Sequence, residues 1–419
     1  MQLSSRTAIV GIVVISFAVT LGELPRSDWP TLAAMSLASG VAALALMASA
    51  ALLGGRLKMV ESLFGGLDRV YRAHKWLAIC ALAFAAFHFA FKAGMQTWET
   101  ASILQLPPFY TRLVRQLSLL ALVFILLLAL NRRIPYHRWR WWHKLSGPLF
   151  LIVVLHWLSF KTPIGLASPA GIWLAILSSL GIAAATHKLL LYRFVSNHAE
   201  YRVVKATKTA TALDLQLEPV DKPISFKAGQ FGFISLKEEG LREPHPFTIA
   251  QGTGGHMHFA IRDLGDYTHR LVRLTKEGMY ADIYAPFGRF ERPATDRREV
   301  WIAGGVGISP FIAWLTDASA AHGPAATLFY FFTPGREFPS VEQIEQFAVA
   351  SRTEVVPISA GPSDPGFAQH FERIVRDAGP KQVEVAFCGP KGLLEHVQRL
   401  MARLGVPKTN LRFEYFEFR

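Results

Sequence analysis

Residues 71–93, YRAHKWLAICALAFAAFHFAFKA, and residues 143–160, HKLSGPLFLIVVLHWLSF, decide how this chain is read. Each is an apolar run carrying two histidines, His74 with His88 and His143 with His156. A neutral imidazole in hydrocarbon is costly and marks a functional position. One such histidine alone reads as a hydrogen-bonded packing residue, whereas two pairs at matched depth read as two metal centres stacked across a bilayer. Imidazole is the usual axial ligand of haem iron, so the pairs point to two six-coordinate b-type haems, each clamped between two helices. His74 and His88 are fourteen residues apart, close to four helical turns, which puts them on one face about 21 Å apart. His143 and His156 are thirteen apart, off a common face of an ideal helix. Gly147 and Pro148 lie between them and predict a local distortion.

Working outward, the apolar content of this 419-residue, 51% hydrophobic chain is uneven. Residues 1–195 hold six long apolar runs, and spans are expected near 7–22, 31–53, 71–93, 114–131, 144–160 and 170–192, each near the ~20 residues a crossing needs. The first is read as a true span rather than a signal peptide, because no small-residue cleavage site precedes Glu23. Arg56, Lys58, Arg69, Arg72 and Lys75 lie after the second run, and Arg132, Arg133, Arg138, Arg140 and Lys144 after the fourth. The other connections are poorer in Lys and Arg, so the expected topology is six spans in the inner (plasma) membrane with both termini cytoplasmic. His74 and His143 then lie near the cytoplasmic leaflet, His88 and His156 near the outer one. The net charge of +13 is largely accounted for by these inward loops, and no nucleic-acid partner is implied. The stretch Tyr136 to Trp142 reads as an interfacial anchor. Cys80 and Cys388 give neither a disulfide framework nor an iron–sulfur site.

From Tyr201 the pattern changes to short alternating runs, at Tyr201–Lys205, Leu213–Leu217, Gln230–Leu236, His256–Ile261 and Tyr280–Tyr284, as in a small antiparallel barrel. Beyond about residue 297 the rhythm is strand, helix, strand, helix. Strands at Val300–Gly304, Thr327–Phe332, Glu354–Ser359 and Glu384–Cys388 imply a doubly wound parallel sheet. The expected architecture is a membrane all-α six-helix bundle (1–195), a β-barrel (196–296) and an α/β nucleotide-binding domain (297–419), joined at the polar stretch Arg292–Arg298. Arg242 to Thr248 places a cation, an aromatic and a hydroxyl along one short strand. Ile261 to Thr268 follows a strand with a glycine turn and a helix start suited to a pyrophosphate. Either stretch alone is also what a bland turn looks like. Gly304-Gly305-Val306-Gly307-Ile308-Ser309-Pro310 is more specific: it ends a buried strand and opens a helix, the context of a phosphate loop. The third glycine of the dinucleotide fingerprint is missing, so it is not the standard Rossmann loop.

Taken together, these residues resemble the ferredoxin–NADP reductase superfamily, a flavin barrel followed by a pyridine-nucleotide domain. The resemblance implies that His245-Pro246-Phe247-Thr248, with Arg242 before it, lines the isoalloxazine, with the Thr248 hydroxyl approaching flavin N5. It assigns Gly265 and Thr268, with Arg262, to the FAD pyrophosphate. It also assigns Gly304, Gly305, Gly307 and Pro310 to the nicotinamide nucleotide, and Cys388, Gly389 and Pro390 to the place beside the nicotinamide. Phe416, in Phe413-Glu414-Tyr415-Phe416, is implied to cover the flavin ring. Thr248, Cys388 and Phe416 would stand nearest the chemistry. The membrane half is similar to the ferric reductase transmembrane domain, including histidine spacings of thirteen and twelve intervening residues. The fused order matches NADPH oxidases and ferric reductases, and in its brevity the chain resembles a short prokaryotic NADPH oxidase.

This resemblance implies electron transfer from cytoplasmic NAD(P)H through FAD and two b haems to an extracytoplasmic acceptor. The outer connections carry no cluster of acidic or Cys residues for a chelate, which favours O2 giving superoxide over ferric iron. Supply of electrons to a partner protein is a third reading, although no protein partner is required. Arg336, after the strand Thr327–Phe332, could pair with a 2′-phosphate, which favours NADPH while leaving NADH possible; Glu337 beside it argues the other way. A six-span transporter would need repeats or charged residues at mid-membrane, and the sequence has neither.

Overall fold

The computed structural model describes residues 3–131, 133–250, 252, 254–317, 324–349 and 351–414. The chain divides between Val195 and Ser196 into two compact units.

The first unit is helical: α1 Ser5–Gly22, α2 Leu32–Gly54, α3 Lys58–Phe64, α4 Leu67–Ala90, α5 Pro108–Leu130, α6 Tyr136–His143, α7 Ser146–Ser159 and α8 Pro169–Thr186, which runs on through a π-helical stretch His187–Leu191 into α9 Tyr192–Val195. Local chemistry starts these helices. Ser4, Thr31 and Ser168 accept from the N–H groups of Thr7, Ala34 and Gly171 at 3.1–3.2 Å, and Pro108 and Pro169 stand in first turns, where no N–H is needed. Among the described residues five helices are long and apolar enough to cross a bilayer: α1, α2, α4, most of α5, and α8 with its continuation. The span expected at 144–160 differs. It is the 14-residue α7, only about 21 Å long against a hydrocarbon core of about 30 Å. Pro148 explains the shortening. Its ring would collide with the carbonyl four residues back, so Lys144 leaves the helix and Pro148 stands in the first turn of α7. The expected distortion is therefore a break before Gly147 and Pro148.

Helix α2 is the core of this unit, packed against α1, α4 and α8. Its Ala, Ser and Gly residues let neighbouring backbones come close, which is how helices associate without water to drive them. Gly181 of α8 lies so near α2 that a Cβ there would be 2.9 Å from the Ala48 carbonyl. Large apolar side chains at Val10 and Val14, at Leu120, Val123 and Leu127, and at Ile172, Ile176 and Leu180 are exposed at helical spacing, as lipid-facing stripes are.

The second unit begins with β1 His198–Lys208, β2 Ala212–Pro219, β3 Phe231–Leu236, β4 His245–Thr248, β5 Met257–Arg262, helix α10 Asp266–Leu274 and β6 Tyr280–Phe287. They form an antiparallel sheet in the order β4-β3-β6-β1-β2-β5, and the edge strands β4 and β5 approach each other, so the barrel nearly closes. Period-two alternation fills it: Leu213, Leu215 and Leu217 point inward with Phe259 and Ile261. Next come β7 Arg298–Gly304, α11 Ser309–Thr316, β8 Ala326–Phe331, α12 Val341–Ala348, β9 Thr353–Ile358, α13 Pro365–Ala378, β10 Val383–Cys388, α14 Lys391–Arg403 and β11 Leu411–Phe413. These strands are parallel, in the order β11-β10-β7-β8-β9. The chain runs outward from β7 to β9, then crosses to the other side for β10. The order therefore reverses beside β7, where a doubly wound sheet opens its ligand crevice. The join Arg292–Arg298 is tied in: Arg292 binds the buried Glu299 at 3.1 Å, Arg297 binds Glu384 at 3.0 Å, and Arg298 donates to Thr327 at 2.7 Å.

Candidate functional site

In the membrane unit one histidine pair lies ring to ring. His74 of α4 and His143 at the end of α6 have ring centroids 6.0 Å apart with planes at 84°. Two imidazoles sharing one metal need about this separation, roughly 2 Å for each metal–nitrogen bond and roughly 1 Å from each nitrogen to its ring centre. His88 and His156 lie within electrostatic reach of each other. Nδ1 of His74 donates to the Ala50 carbonyl at 2.8 Å, and Nδ1 of His88 to the Ser36 carbonyl at 2.9 Å. A carbonyl can only accept, so both rings are held as Nδ1–H tautomers with Nε2 left for a metal. Among the described residues no three His, Cys, Asp or Glu side chains gather around one point. A donor set of two imidazoles suits a group that brings its own four equatorial nitrogens, so the residues fit haem.

Two aromatic rings, Trp139 from the stretch read as an interfacial anchor and Phe160, flank these pairs. Trp139 stacks on His143 at 4.7 Å and 12°, and Phe160 on His156 at 4.3 Å and 29°. Trp139 also donates from its indole to the Leu128 carbonyl of α5 at 3.2 Å, so this part of the basic aromatic stretch packs between His143 and α5. The available signal was their spacing, four residues before one histidine and four after the other, which puts each pair on one helix face.

In the second unit the glycine loop and the Cys388 segment meet at the reversal of strand order. β10 pairs with β7, Cys388 opposite Ala303. The two loops touch through backbone: a Cβ on Gly307 would lie 2.1 Å from the Cys388 carbonyl, and one on Gly304 2.6 Å from Pro390. Gly305 has φ +57°, and the Arg262 guanidinium of β5 lies 3.2 Å from the space its Cβ would fill. Arg262 and Glu337 are both within electrostatic reach of the buried Tyr330 hydroxyl, whose ionisation burial opposes. Pro310 stands in the first turn of α11. The Cys388 side chain is fully buried, and burial, with Glu414 nearby, pushes its thiol well above the usual range. It is therefore a neutral packing group whose carbonyl and following Gly389 shape the crevice.

On the barrel, His245 stacks on Tyr267 of α10 at 3.7 Å and 4°, which brings β4 to the first turn of α10. Pro246, Phe247 and Thr248 pair with Phe233, Gly232 and Phe231 of β3, and Thr248 is buried. Thr268 does not present its hydroxyl to a ligand. It accepts from the N–H groups of Leu264 and Gly265 at 2.9 and 3.0 Å and holds the Gly265 turn, so the first-turn N–H groups of α10 are the donors available to a pyrophosphate. Arg242 is exposed and donates to the Lys237 carbonyl at 3.5 Å. Arg336 is exposed in the turn after β8. Phe416 lies outside the described residues.

Comparison with known proteins bears on both halves. Residues 39–189, which include all four histidines, match the family described as "Ferric reductase like transmembrane component". This segment is similar to a ferric reductase-like transmembrane component. The matched segment begins within α2 and ends in the stretch that continues α8, so it takes in all four histidines and the Ala50 carbonyl but not Ser36. The second half is similar to the toluate 1,2-dioxygenase electron transfer component of Pseudomonas putida, 25% identical over 51% of this chain and 65% of that protein. It is also similar to a flavohemoprotein of Burkholderia sp. (strain TH2), 24% identical over 51% of this chain and 57% of that protein. The chain thus spans 57–65% of the length of these relatives. Among solved structures, the flavohemoglobin of Malassezia yamatoensis, with bound FAD and heme, aligns over 96% of this chain and 99% of its own at TM-score 0.52 and 17% identity; this likeness is one of fold. The protein is therefore a membrane protein of the oxidoreductase class, in which a segment similar to the ferric reductase-like transmembrane component precedes a unit similar to a dioxygenase electron transfer component and to flavohemoproteins.

Proposed function

We propose that the chain carries electrons from cytoplasmic NAD(P)H across the membrane to an extracytoplasmic acceptor, using FAD in the second unit and two b-type haems in the first. The 6.0 Å pairing of His74 with His143 carries this reading. His74 and His143 would hold the inner haem, His88 and His156 the outer one. When bound, the flavin accepts a two-electron hydride and releases single electrons, and the haems relay them. The protein's own part is positioning. Gly304, Gly305, Gly307 and Gly389 let backbone approach the nucleotide, the first turn of α10 faces the FAD pyrophosphate, and β4 with Phe247 and Thr248 lines the flavin. The implied role of Phe416 as cover for the flavin belongs to this proposal.

His74, His143, His88 and His156 would hold the haems, which would supply single-electron transfer, so oxygen would be reduced without having to bind iron. O2, giving superoxide, is the favoured acceptor, because the outer connections lack an acidic or thiol chelate. Ferric iron is the second reading, and the family description of residues 39–189 favours it. Dithionite-reduced membranes should carry a bis-imidazole b-type spectrum with about two haems per FAD. His74→Ala or His143→Ala should remove the inner haem and stop electron flow from flavin to the outside; retention of both haems in either variant sinks the assignment. Superoxide and ferrous iron measured in parallel on intact cells decide the acceptor.

A further inference from the structure

We propose that α2 is the positioning helix for both ligands of α4, and that Gly40 is the residue that must stay open for His88, while Gly54 faces His74 with room for a Cβ. This deepens the haem reading above and rests on it. Three features of α2 repeat at the fourteen-residue spacing of His74 and His88. The first is the pair of acceptors, the Ser36 carbonyl for His88 and the Ala50 carbonyl for His74. The second is a glycine four residues after each acceptor, Gly40 and Gly54. The third is the approach of each ring to that glycine, His88 to Gly40 and His74 to Gly54.

The coincidence has a physical basis. In an α-helix each carbonyl already accepts the N–H four residues on, and the Cβ of that later residue tilts back toward the helix N-terminus, over the carbonyl. A side-chain donor from a neighbouring helix can reach such a carbonyl only if the later residue leaves that space open. A Cβ on Gly40 would lie 2.8 Å from Nδ1 and 2.9 Å from Cε1 of His88, closer than real contacts allow. On Gly54 it would lie 3.8 Å from Nδ1 and 3.7 Å from Cε1 of His74, ordinary contact. Glycine weakens a helix interior relative to alanine, so Gly40 stands against the propensity of an otherwise Ala-rich helix, opposite His88, whereas Gly54 is the last residue of α2. At His88 the grip is doubled, because the Ser36 hydroxyl donates to the Phe91 carbonyl at 2.7 Å and ties down the end of α4. The outcome is a fixed tautomer and ring orientation at both histidines.

The two glycines therefore behave differently on substitution. The test uses full-length protein purified with its native cofactors. It measures haem by the pyridine haemochrome, the low-spin EPR signals of the oxidised protein, and FAD content as a check on the second unit. Gly40→Ala should shift or remove the signal of the His88–His156 centre, lowering haem from two toward about one per chain, with FAD retained. Gly54→Ala should leave both signals in place, and Gly54→Leu, whose side chain reaches further, should shift the His74–His143 signal instead. If the glycines are only weak points of a helix, both alanine variants keep both signals and melt higher, and that result overturns the proposal. Should Gly40→Ala fail to accumulate folded, the Gly54→Leu arm decides, and unchanged signals there overturn it. A wild-type protein without two bis-imidazole signals would defeat the haem reading itself; two wild-type signals that neither substitution moves defeat only the role of α2.

Discussion

Arg336 and Glu337 are neighbours in the turn that follows β8, yet they face different media. Arg336 is exposed, while Glu337 is half-buried near Tyr330. The sheet reverses order beside β7, so this turn borders the crevice where the adenine ribose of a bound nucleotide is read, an acid there binding the 2′-hydroxyl and an arginine a 2′-phosphate. Arg336→Ala should lower the NADPH:NADH ratio of kcat/KM, by roughly three- to tenfold for one solvent-screened charge-assisted contact. Glu337→Gln should move the ratio the other way by weakening NADH. An unchanged ratio in steady-state kinetics of Arg336→Ala would remove Arg336 as the discriminator. The sequence pointed to Arg336 because its charge and place after a strand are visible in one dimension. It could not rank the two neighbours, since which side chain turns inward depends on how the turn leaves the sheet.

The elements divide the same way between what periodicity reveals and what packing decides. The alternation Leu213, Leu215, Leu217 announces β2 because one face of that strand is filled by the barrel core. The buried runs that become β7, β8 and β10 announce a covered parallel sheet. Less legible was the polar stretch Arg292–Arg298, which reads as a loose join but anchors the first strand of that sheet. Arg292 holds Glu299, which is 1% exposed and also accepts from the Trp301 indole at 2.7 Å. Burial raises the Glu299 carboxyl above the usual carboxylate range, with Arg292 pulling it back down. Arg292→Ala should leave that carboxylate buried without its cation and destabilise the second unit by about 3–5 kcal/mol near neutral pH. The sign with pH follows. A folded carboxyl with a raised pKa binds its proton where the unfolded chain has already lost it, so stability falls as pH rises through that window and returns on acidification. Melting of Arg292→Ala at pH 7.5 and pH 5.5 should therefore show a smaller deficit against wild type at the lower pH. An equal deficit at both would mean that Glu299 is not the group left exposed to the loss.

For the whole molecule, the charge pattern of the loops predicts a cytoplasmic C-terminus. A C-terminal fusion to green fluorescent protein should fluoresce, and the same fusion to alkaline phosphatase should be inactive outside the membrane. The opposite pair of results would reverse the order in which electrons meet the two centres. The membrane unit would also fix how far apart the two proposed centres stand, and it would do so with few moving parts. Both α4 ligands are referenced to one helix, and α2 carries its two acceptor carbonyls on a single uninterrupted run of backbone. The gap between centres is thus a length measured in residues, about 21 Å for fourteen of them, and small shifts among the other helices leave it unchanged. Such a ruler does not admit half-measures. One residue gained or lost between Ser36 and Ala50 would turn one carbonyl by about 100° away from its histidine, so substitutions along this stretch can be absorbed while changes of length cannot.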